Sequence, residues 1–346
     1  MKIAVLGYGK EGRSVEAFFS TQDNAKQNHE IQIFDKITPS ELANLDLSAY
    51  DLILRSPSVP PLGKWSSSTK YFFEHCPCPI IGVTGTKGKG TTCSIIKSIL
   101  EKLGKRVFLV GNIGNPALDV LKQIKADDIV VYEMSSFQLW DLEISPHIAV
   151  VLYIEPDHLN VHKDYAEYIA AKANITKHQH ASDYCIYCQN NSDSTKIADF
   201  SQGKKFPYPT NKNRSKLDRV LASLNLPGQH NQENAEAALC AVAAYYNISL
   251  KDLIDQHHAE IVSALQSFQG LPHRLQFLRE LNQVRYYDDN FSTTPTSLKV
   301  ALAAFPDSPL ILIAGGRDKT SNQDLPEIVE TINNAKTLQK VILIGE

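Results

Sequence analysis

The chain has 346 residues, of which 43% are hydrophobic, and a net charge of −3. This length and composition suit two or three packed domains, and the lack of a long basic run excludes a nucleic-acid partner. The N-terminus enters an apolar strand directly and no apolar stretch reaches about 18 residues, so we expect a cytoplasmic protein without a membrane partner.

The first 77 residues predict a small Rossmann-like domain. A glycine turn, Gly7-Tyr-Gly9-Lys-Glu-Gly12, connects a strand over 2–6 to a helix over 13–20, and a second strand over 30–34 is followed directly by Asp35. This pattern matches the dinucleotide fingerprint, in which an acidic residue follows the second strand. Because any nucleotide can use such a turn, an NAD-dependent oxidoreductase is one open interpretation.

Two close cysteine pairs flank the predicted centre of the chain, Cys76-Pro-Cys78 and Cys185-Ile-Tyr-Cys188. Six cysteines in a chain of this length do not form a disulfide framework. The spacing allows a zinc site with four thiolates, and reduced structural thiols are the alternative.

The strongest single motif is the loop Gly85-Thr-Lys-Gly-Lys89, which lies between an apolar strand and a helix over 94–103. This order is typical of a phosphate-binding loop, in which glycines expose backbone N–H groups and the lysine reaches the terminal phosphates. ATP or GTP is the expected ligand. The hydroxyl residue that normally follows the lysine and holds Mg²⁺ is replaced by Gly90, and we predict that Thr91 takes over this role.

Further polar side chains follow the predicted central strands. Glu133 stands at the end of one strand, and Glu155-Pro-Asp-His158 follows the end of another, before the next predicted helix. Because the carboxyl ends of parallel strands meet at one edge of a sheet, we expect these groups to lie beside the phosphate loop, where they could hold a cation that bridges phosphates. The elements concerned cover residues 128–132, 147–154 and 165–178.

From residue 189 onward, stretches with a weak secondary-structure pattern alternate with stretches that clearly predict a helix or a strand. Residues 189–225 are polar and predict loops with short strands, whereas 232–246 predict an Ala-rich helix preceded by Asn231. Asn231 and Asn234 share one face of that helix, and N-capping is the alternative role for such a residue. Three strands over 283–288, 310–314 and 340–344, with two helices, predict a thin parallel sheet, which we interpret as an incomplete domain.

Six blocks in order resemble the Mur ligase superfamily and, within it, the family that adds D-glutamate to UDP-N-acetylmuramoyl-L-alanine. The blocks are Gly85-Thr-Lys-Gly-Lys89, Tyr132-Glu-Met-Ser-Ser-Phe-Gln-Leu139, Pro156-Asp-His158 with Tyr168-Ile-Ala-Ala-Lys172, Leu226-Pro-Gly-Gln-His-Asn231, Gly270-Leu-Pro-His-Arg274 and Gly315-Gly-Arg-Asp-Lys319. The resemblance implies an α/β fold of three domains: a Rossmann-like UDP-substrate domain (1–77), an ATPase domain with a phosphate loop and a parallel sheet (78–270), and a partial amino-acid-binding domain (271–346).

The resemblance also implies a monomeric, ATP- and Mg²⁺-dependent ligase of peptidoglycan precursor synthesis that works through an acyl phosphate. The implied catalytic residues are Lys89, Glu133, His158 and Lys172, and the implied metal ligands are Glu133, His158 and a carbamylated Lys172, with Thr91. The implied nucleotide contacts are Gly85, Thr86, Lys87, Gly88, Lys89, Gly90, Thr91, Asn231, Asn234, Arg274 and Asp289. The implied substrate contacts are Asp35 and Ser56 for uridine, Asn112 for the muramoyl group, and Thr293 and Lys319 for D-glutamate.

Three departures from the family pattern leave alternatives open. The order Lys89-Gly90-Thr91 is similar to the folylpolyglutamate synthases of the same superfamily, Phe291 replaces a lysine, and Lys10-Glu11 replaces a small or hydroxyl pair. A folylpolyglutamate-synthase-like ligase and a non-catalytic nucleotide-binding relative are therefore the alternative functions. A separate nucleotide-binding domain before the phosphate loop favours the UDP-linked substrate over folate.

Overall fold

The computed structural model describes residues 1–20, 29–63, 65–211, 214–292, 294–316 and 325–344. The strands of this part of the chain are β1 (Lys2–Leu6), β2 (Glu30–Phe34), β3 (Leu52–Arg55), β4 (Ser66–Ser67), β5 (Ile80–Thr84), β6 (Val107–Gly111), β7 (Ile129–Glu133), β8 (Ile148–Val151), β9 (Tyr184–Cys188), β10 (Lys204–Tyr208), β11 (Gln276–Leu281), β12 (Val284–Asp288), β13 (Leu310–Gly315) and β14 (Leu338–Ile344). The helices are α1 (Lys10–Ser20), α2 (Pro39–Ala43), α3 (Ser68–His75), α4 (Lys89–Lys102), α5 (Ala117–Leu121), α6 (Ser136–Leu139), α7 (Tyr165–Lys177), α8 (Ser192–Asp199), α9 (Arg214–Leu221), α10 (Gln229–Tyr245), α11 (Leu250–Gln256), α12 (His258–Ser267), α13 (Pro295–Ala303) and α14 (Leu325–Asn334).

The N-terminal sheet is parallel, in the order β2-β1-β3-β4. It is joined to the central part of the molecule by the fully buried Arg55, whose Nε donates to Asp141 Oδ2 at 2.7 Å and whose Nη1 donates to Val59 O at 3.0 Å. A buried guanidinium needs such partners, because an unpaired buried charge is strongly destabilising. Arg55 therefore ties the loop after β3 to the segment after α6.

The central sheet has six parallel strands in the order β10-β9-β8-β5-β7-β6. Every residue of β5 and β7 is buried, as expected for parallel strands covered on both faces. On one face lie α4, α10 and α12, and on the other the core continues into the N-terminal sheet and α3, where Phe72 packs edge-on against Tyr132 at 5.6 Å. The predicted α/β class with parallel-sheet cores is confirmed, and β5 delivers the phosphate loop to the edge of this sheet.

The polar stretch 189–225 contains two helices, α8 and α9, besides β10, so the prediction of loops with short strands was wrong there. The Asn191 side chain accepts a hydrogen bond from Ser194 N and caps α8, and Ile197 and Leu217 reach the core. Short amphipathic helices of this kind have few apolar residues, so their composition resembles that of a loop.

The C-terminal part differs from the predicted three-stranded parallel sheet. Strand β12 pairs antiparallel with β11, while β13 pairs parallel with β14, so the described residues form two separate two-stranded sheets. The β11–β12 turn places Asn282 and Gln283 at φ 50° and 64°, the conformation of a tight hairpin turn. A turn without glycine gave no hairpin signal in the sequence.

Among the described helices, none is by itself long and apolar enough to cross a membrane. One bent pair, α10 with α11, passes such a test by length and composition, but most of α10 is buried in the central core.

Candidate active site

The phosphate loop connects β5 to α4 and depends on two glycines. Gly85 and the N-cap Gly88 adopt φ +155° and +84°, which side chains with a Cβ rarely adopt. The Lys89 ammonium donates to the carbonyl oxygens of Gly85 at 3.0 Å and Thr86 at 3.1 Å. Burial lowers the pKa of Lys89, and the nearby Glu133 opposes this shift. The loop thus holds a cation at the sheet edge where phosphates would bind.

A second amine reaches the same carbonyl from α7. Lys172 is buried, and its Nζ donates to Gly85 O at 3.0 Å and lies 4.7 Å from the centre of the Tyr168 ring. Burial, followed by repulsion from Lys89, places the pKa of Lys172 well below its usual value. Both effects favour the uncharged, nucleophilic form of the Lys172 amine.

The carboxylate of Glu133 lies on the other side of the loop. This residue ends β7 and is buried, and its Oε1 accepts a hydrogen bond from Asn112 Nδ2 at 3.4 Å. A Cβ at Gly90 would lie 3.4 Å from Glu133 Oε2, but also 2.8 Å from Leu271 Cδ1 and 3.2 Å from Ile113 Cδ1. Two apolar side chains thus occupy the space next to Gly90, and Thr91 lies buried in the first turn of α4.

His158 lies after β8 in a left-handed conformation, φ 55°, with its side chain half exposed. Burial lowers the pKa of His158, and the nearby Lys89 and Lys172 lower it further against the opposing effect of Asp157. The imidazole is thus neutral near pH 7 and able to bind a cation. The described residues contain no group of three or more His, Cys, Asp or Glu side chains that could hold a metal, and the predicted ligand set includes two residues of these types.

The start of α10 and the C-terminal segment meet beside the loop. Asn234 Oδ1 packs against Gly88, whereas Asn231 Nδ2 donates to Pro227 O at 2.7 Å. The N-cap of α10 is Gly228, so the alternative role of Asn231 as the N-cap was wrong. Burial lowers the pKa of His230, opposed by Asp289. Asp289 therefore lies within electrostatic range of the helix that carries both asparagines.

Arg274 extends from the connection to the C-terminal part toward the phosphate loop. Its charge lowers the pKa of Lys89, after the larger effect of burial. The guanidinium lies 5.2 Å from the centre of the exposed Phe291 ring, which suits a cation–π contact. Asp289 Oδ1 accepts a hydrogen bond from Leu275 N at 3.0 Å, so Arg274 and Asp289 belong to one local structure.

Several predicted contacts support the backbone in this structure. Asp35 Oδ1 accepts from Tyr8 N at 2.9 Å, and the buried Ser56 donates through Oγ to Gly7 O at 2.7 Å, so both stabilise the glycine turn. Thr86 Oγ1 donates to Glu155 O at 2.9 Å and its N–H donates to Tyr153 O, which turns both groups toward the protein. Thr293 and Lys319 lie outside the described residues.

Sequence reasoning missed two participants in this region, Tyr168 and His162. Tyr168 contacts both Lys172 and the Thr86 hydroxyl, a contact that the spacing of four residues on one helix could have indicated. The buried His162 accepts from or donates to Ser136 Oγ at 2.9 Å and stacks on Phe137. No local pattern distinguishes His162 from a surface histidine.

The two cysteine pairs do not assemble into a metal site in the described part of the chain. Cys76 and Cys78 lie between α3 and β5, whereas Cys185 and Cys188 belong to β9. The four-thiolate zinc alternative was therefore wrong, because the pairs belong to separate elements.

Comparisons with known proteins agree with this architecture. Residues 83–242 match the Mur ligase middle domain. The chain is 35% identical to the UDP-N-acetylmuramoylalanine–D-glutamate ligase of Clostridium kluyveri and 32% identical to that of Clostridium tetani, in each case over 92% of this chain and 76% of the relative. The structure of the MurF ligase from Thermotoga maritima in complex with ADP is 17% identical, with a TM-score of 0.62 over 99% of this chain and 84% of that chain, which shows likeness in fold.

Proposed function

The chain belongs to the UDP-N-acetylmuramoylalanine–D-glutamate ligase family, and on that premise we propose how its own residues carry out the reaction. The protein is an ATP- and Mg²⁺-dependent, ADP-forming ligase that adds D-glutamate to UDP-N-acetylmuramoyl-L-alanine in peptidoglycan precursor synthesis. ATP phosphorylates the substrate carboxylate, the D-glutamate amine attacks the resulting acyl phosphate, and phosphate leaves. The residues must therefore bring a carboxylate to a polyphosphate, against the repulsion of like charges.

Lys89 is the residue that reduces this repulsion. Its ammonium lies at the N-terminus of α4 on the carbonyl oxygens of the loop, so it is already placed where phosphate oxygens would bind. A charge that is positioned before the substrate arrives stabilises the transferring phosphoryl group without reorganisation. We assign Lys89 as the principal electrostatic residue of phosphoryl transfer.

Lys172 acts as a modified residue. The neutral amine can add to CO₂, forming an N–C bond and releasing a proton, and the product is a carbamate with two oxygen donors. The observation that carries this proposal is the convergence of Lys89 and Lys172 on Gly85 O, because two ammonium groups on one carbonyl repel each other, and this repulsion adds to burial in favouring the uncharged form of Lys172. Conversion to an anion would replace this repulsion with attraction.

Glu133, His158, Thr91 and the carbamate of Lys172 would hold Mg²⁺. The buried carboxylate at the end of β7 and the carbamate supply the oxygen donors that Mg²⁺ prefers, so the residues fit such an ion. Bound there, Mg²⁺ would neutralise phosphate charge. Asn112 orients the Glu133 carboxylate through its hydrogen bond.

The other residues are assigned by region. We propose that 1–77 bind the UDP end of the substrate, that 78–270 bind ATP and that 271–346 contribute to the amino-acid site. Asn231, Asn234, Arg274 and Asp289 surround the nucleotide beside Gly85–Lys89, and Asp35 and Ser56 act by shaping the glycine turn for uridine. We also propose that the protein is cytoplasmic, because ATP and reduced thiols are features of that compartment. We propose that it is a monomer, and size-exclusion chromatography with light scattering tests this oligomeric state.

Phosphate release in a mixture of ATP, Mg²⁺, UDP-N-acetylmuramoyl-L-alanine and D-glutamate tests the reaction. We expect release that requires all four components and a product containing D-glutamate. Absence of release at every Mg²⁺ concentration would favour a non-catalytic relative, and release with folate in place of the UDP substrate would favour the folylpolyglutamate alternative. A carbamate signal after incubation with ¹³C-bicarbonate, lost in Lys172→Ala, tests the modification separately.

A further inference from the structure

The connection between α3 and β5 carries two thiols that the ligation does not use. Cys76 caps the C-terminus of α3, where its N–H donates to Phe72 O at 2.8 Å, and Cys78 precedes β5 by two residues. Their sulfur atoms lie 3.8 Å apart. This is a weak hydrogen bond between two reduced thiols, and it lies where the N-terminal and central sheets are joined in sequence.

Cys76 is the most accessible cysteine of the chain. All six cysteines lie in the described residues and are free thiols; Cys76 is partly exposed and the other five are buried. An oxidant in solvent therefore meets Cys76 first, with Cys78 directly behind it.

The surroundings also distinguish the two thiols chemically. The hydrogen bond between them lowers the pKa of Cys76 and raises the pKa of Cys78, which burial raises further. A partly exposed thiol with a lowered pKa, in contact with a buried thiol with a raised pKa, is the usual arrangement of an attacking and a resolving cysteine.

We propose that Cys76 and Cys78 form a redox modification site at which a peroxide drives the formation of a disulfide. The Cys76 thiolate attacks one peroxide oxygen, the O–O bond breaks, and the leaving hydroxide takes a proton to form water. The Cys78 sulfur then attacks the Cys76 sulfenic acid, the S–S bond forms as the S–O bond breaks, and the Cys78 proton leaves with the hydroxide as a second water. The two thiols are oxidised and the peroxide is reduced to two water molecules.

Closure of this disulfide acts on the junction between the two sheets. The sulfur atoms must approach from 3.8 Å to about 2 Å. The segment is held at both ends, by Cys76 N to Phe72 O and by Val130 N to Pro79 O at 3.1 Å, so rotation of the two cysteine side chains and adjustment of the backbone between these hydrogen bonds take up the approach. The phosphate loop lies at the other end of β5 and is not part of the site.

The test uses the full chain, reduced and then treated with one equivalent of hydrogen peroxide, followed by denaturing alkylation and mass spectrometry. We expect the loss of two of the six alkylatable thiols, both mapped to one peptide containing Cys76 and Cys78 that is lighter by two hydrogen atoms. In Cys76→Ser, all remaining thiols should stay alkylatable after the peroxide treatment. In Cys78→Ser, the oxidation should stop at a sulfenic acid on Cys76, which dimedone traps. Cys188→Ser, which removes a buried thiol of β9, should form the disulfide as the parent chain does.

Thiol loss spread over several cysteines, or unchanged in Cys76→Ser, would overturn the proposal, as would a stable sulfenic acid on Cys76 in the parent chain. Phenylarsine oxide gives an independent measurement without oxidation, because it bridges adjacent thiols. One equivalent should protect Cys76 and Cys78 of the native protein from alkylation, and failure to protect both would contradict the geometry. Circular dichroism of each variant identifies any that fails to fold.

Discussion

The central sheet and the C-terminal β13–β14 pair are both built from apolar strands, yet they differ in what surrounds those strands. Every residue of β5 and β7 is buried, whereas burial alternates along β13 and leaves Ile313 59% exposed. The central strands pack between two layers, and the described part of the C-terminal region offers its sheet less cover. An apolar run therefore predicts a strand, while the packing around the strand decides whether it forms a core.

The two regions also divide the chemistry. The loop, Lys172 and Glu133 belong to the central region and are fixed by buried or partly buried hydrogen bonds. Arg274 lies within electrostatic range of Lys89, and Asp289 within electrostatic range of His230 at the start of α10. The central region thus holds the charges, and the C-terminal region adds contacts to them.

The largest expected effect compares one isoleucine from each region. Ile81→Ala removes a fully buried side chain of β5 and should lower the free energy of unfolding by about 2–5 kcal/mol. Ile313→Ala should lower it by less than about 0.5 kcal/mol, because that side chain is 59% exposed. Urea unfolding of the full chain measures both. Equal losses of unfolding free energy would mean that the β13–β14 sheet is covered in solution. The contrast between the buried central sheet and the exposed β13–β14 sheet would then be wrong.

Lys89→Ala should reduce phosphate release about 100-fold or more, since it removes a positioned charge at the phosphoryl group. Lys97→Ala is the matched control: this lysine lies on the same helix, α4, and pairs with Glu101 away from the loop. We expect Lys97→Ala to leave turnover unchanged. Near-normal turnover of Lys89→Ala would show that phosphoryl transfer does not take place at this loop.

Lys172→Met tests the neutral amine through pH. The pKa of Lys172 lies well below its ordinary value of 10.5, chiefly through burial, so folding must release a proton that the unfolded chain keeps. The resulting loss of stability is fully present below the lowered pKa and disappears as the pH rises through 10.5. In CO₂-free buffer, the free energy of unfolding of Lys172→Met should therefore exceed that of the parent chain by more than about 1.4 kcal/mol, the value of one pKa unit, at neutral pH, and the difference should vanish near pH 10.5. A gain in stability that does not change with pH would show that the Lys172 amine stays charged in the folded chain, with no lowering of its pKa.

Thr91→Val removes the hydroxyl assigned to Mg²⁺ and keeps the shape of the side chain. We expect the Mg²⁺ concentration for half-maximal nucleotide binding to rise about tenfold. Thr92→Val is the control, because the buried Thr92 Oγ1 makes no hydrogen bond in the described structure. It should leave the Mg²⁺ dependence unchanged, and an equal shift in both variants would show that Thr91 has no special role.

The smallest effect lies where the two regions meet, at Gly90 and Leu271. Gly90→Ala should gain helix propensity of about 1 kcal/mol, but the new methyl group meets Leu271 Cδ1, so we expect little net change in stability. In a Leu271→Ala background the same substitution should stabilise by about 1 kcal/mol. Thermal unfolding of the four chains of this cycle measures the coupling, and equal effects of Gly90→Ala in both backgrounds would mean that Leu271 does not contact the loop.

Much of the fold and the phosphate loop could be predicted from local pattern. The strands β1 and β2 have the predicted limits, and the loop with Lys89 follows from glycines placed between a strand and a helix. Glu133 followed from its place at the end of a predicted strand, and the family blocks added Lys172 to the candidate site. The hairpin partner of β12, by contrast, could not be predicted, because its turn uses Asn282 and Gln283 where the common signal is glycine.

The sequence by itself determined the order of elements, the glycine-dependent loop and the family to which the chain belongs, because each rests on residues that are neighbours along the chain. Only the tertiary structure decided that Lys172 shares a carbonyl with Lys89, that Leu271 lies over Gly90 and that Ser56 supports Gly7. These contacts join residues far apart in sequence. Burial, charge state and the direction of a hydrogen bond depend on such partners, and no local periodicity records them.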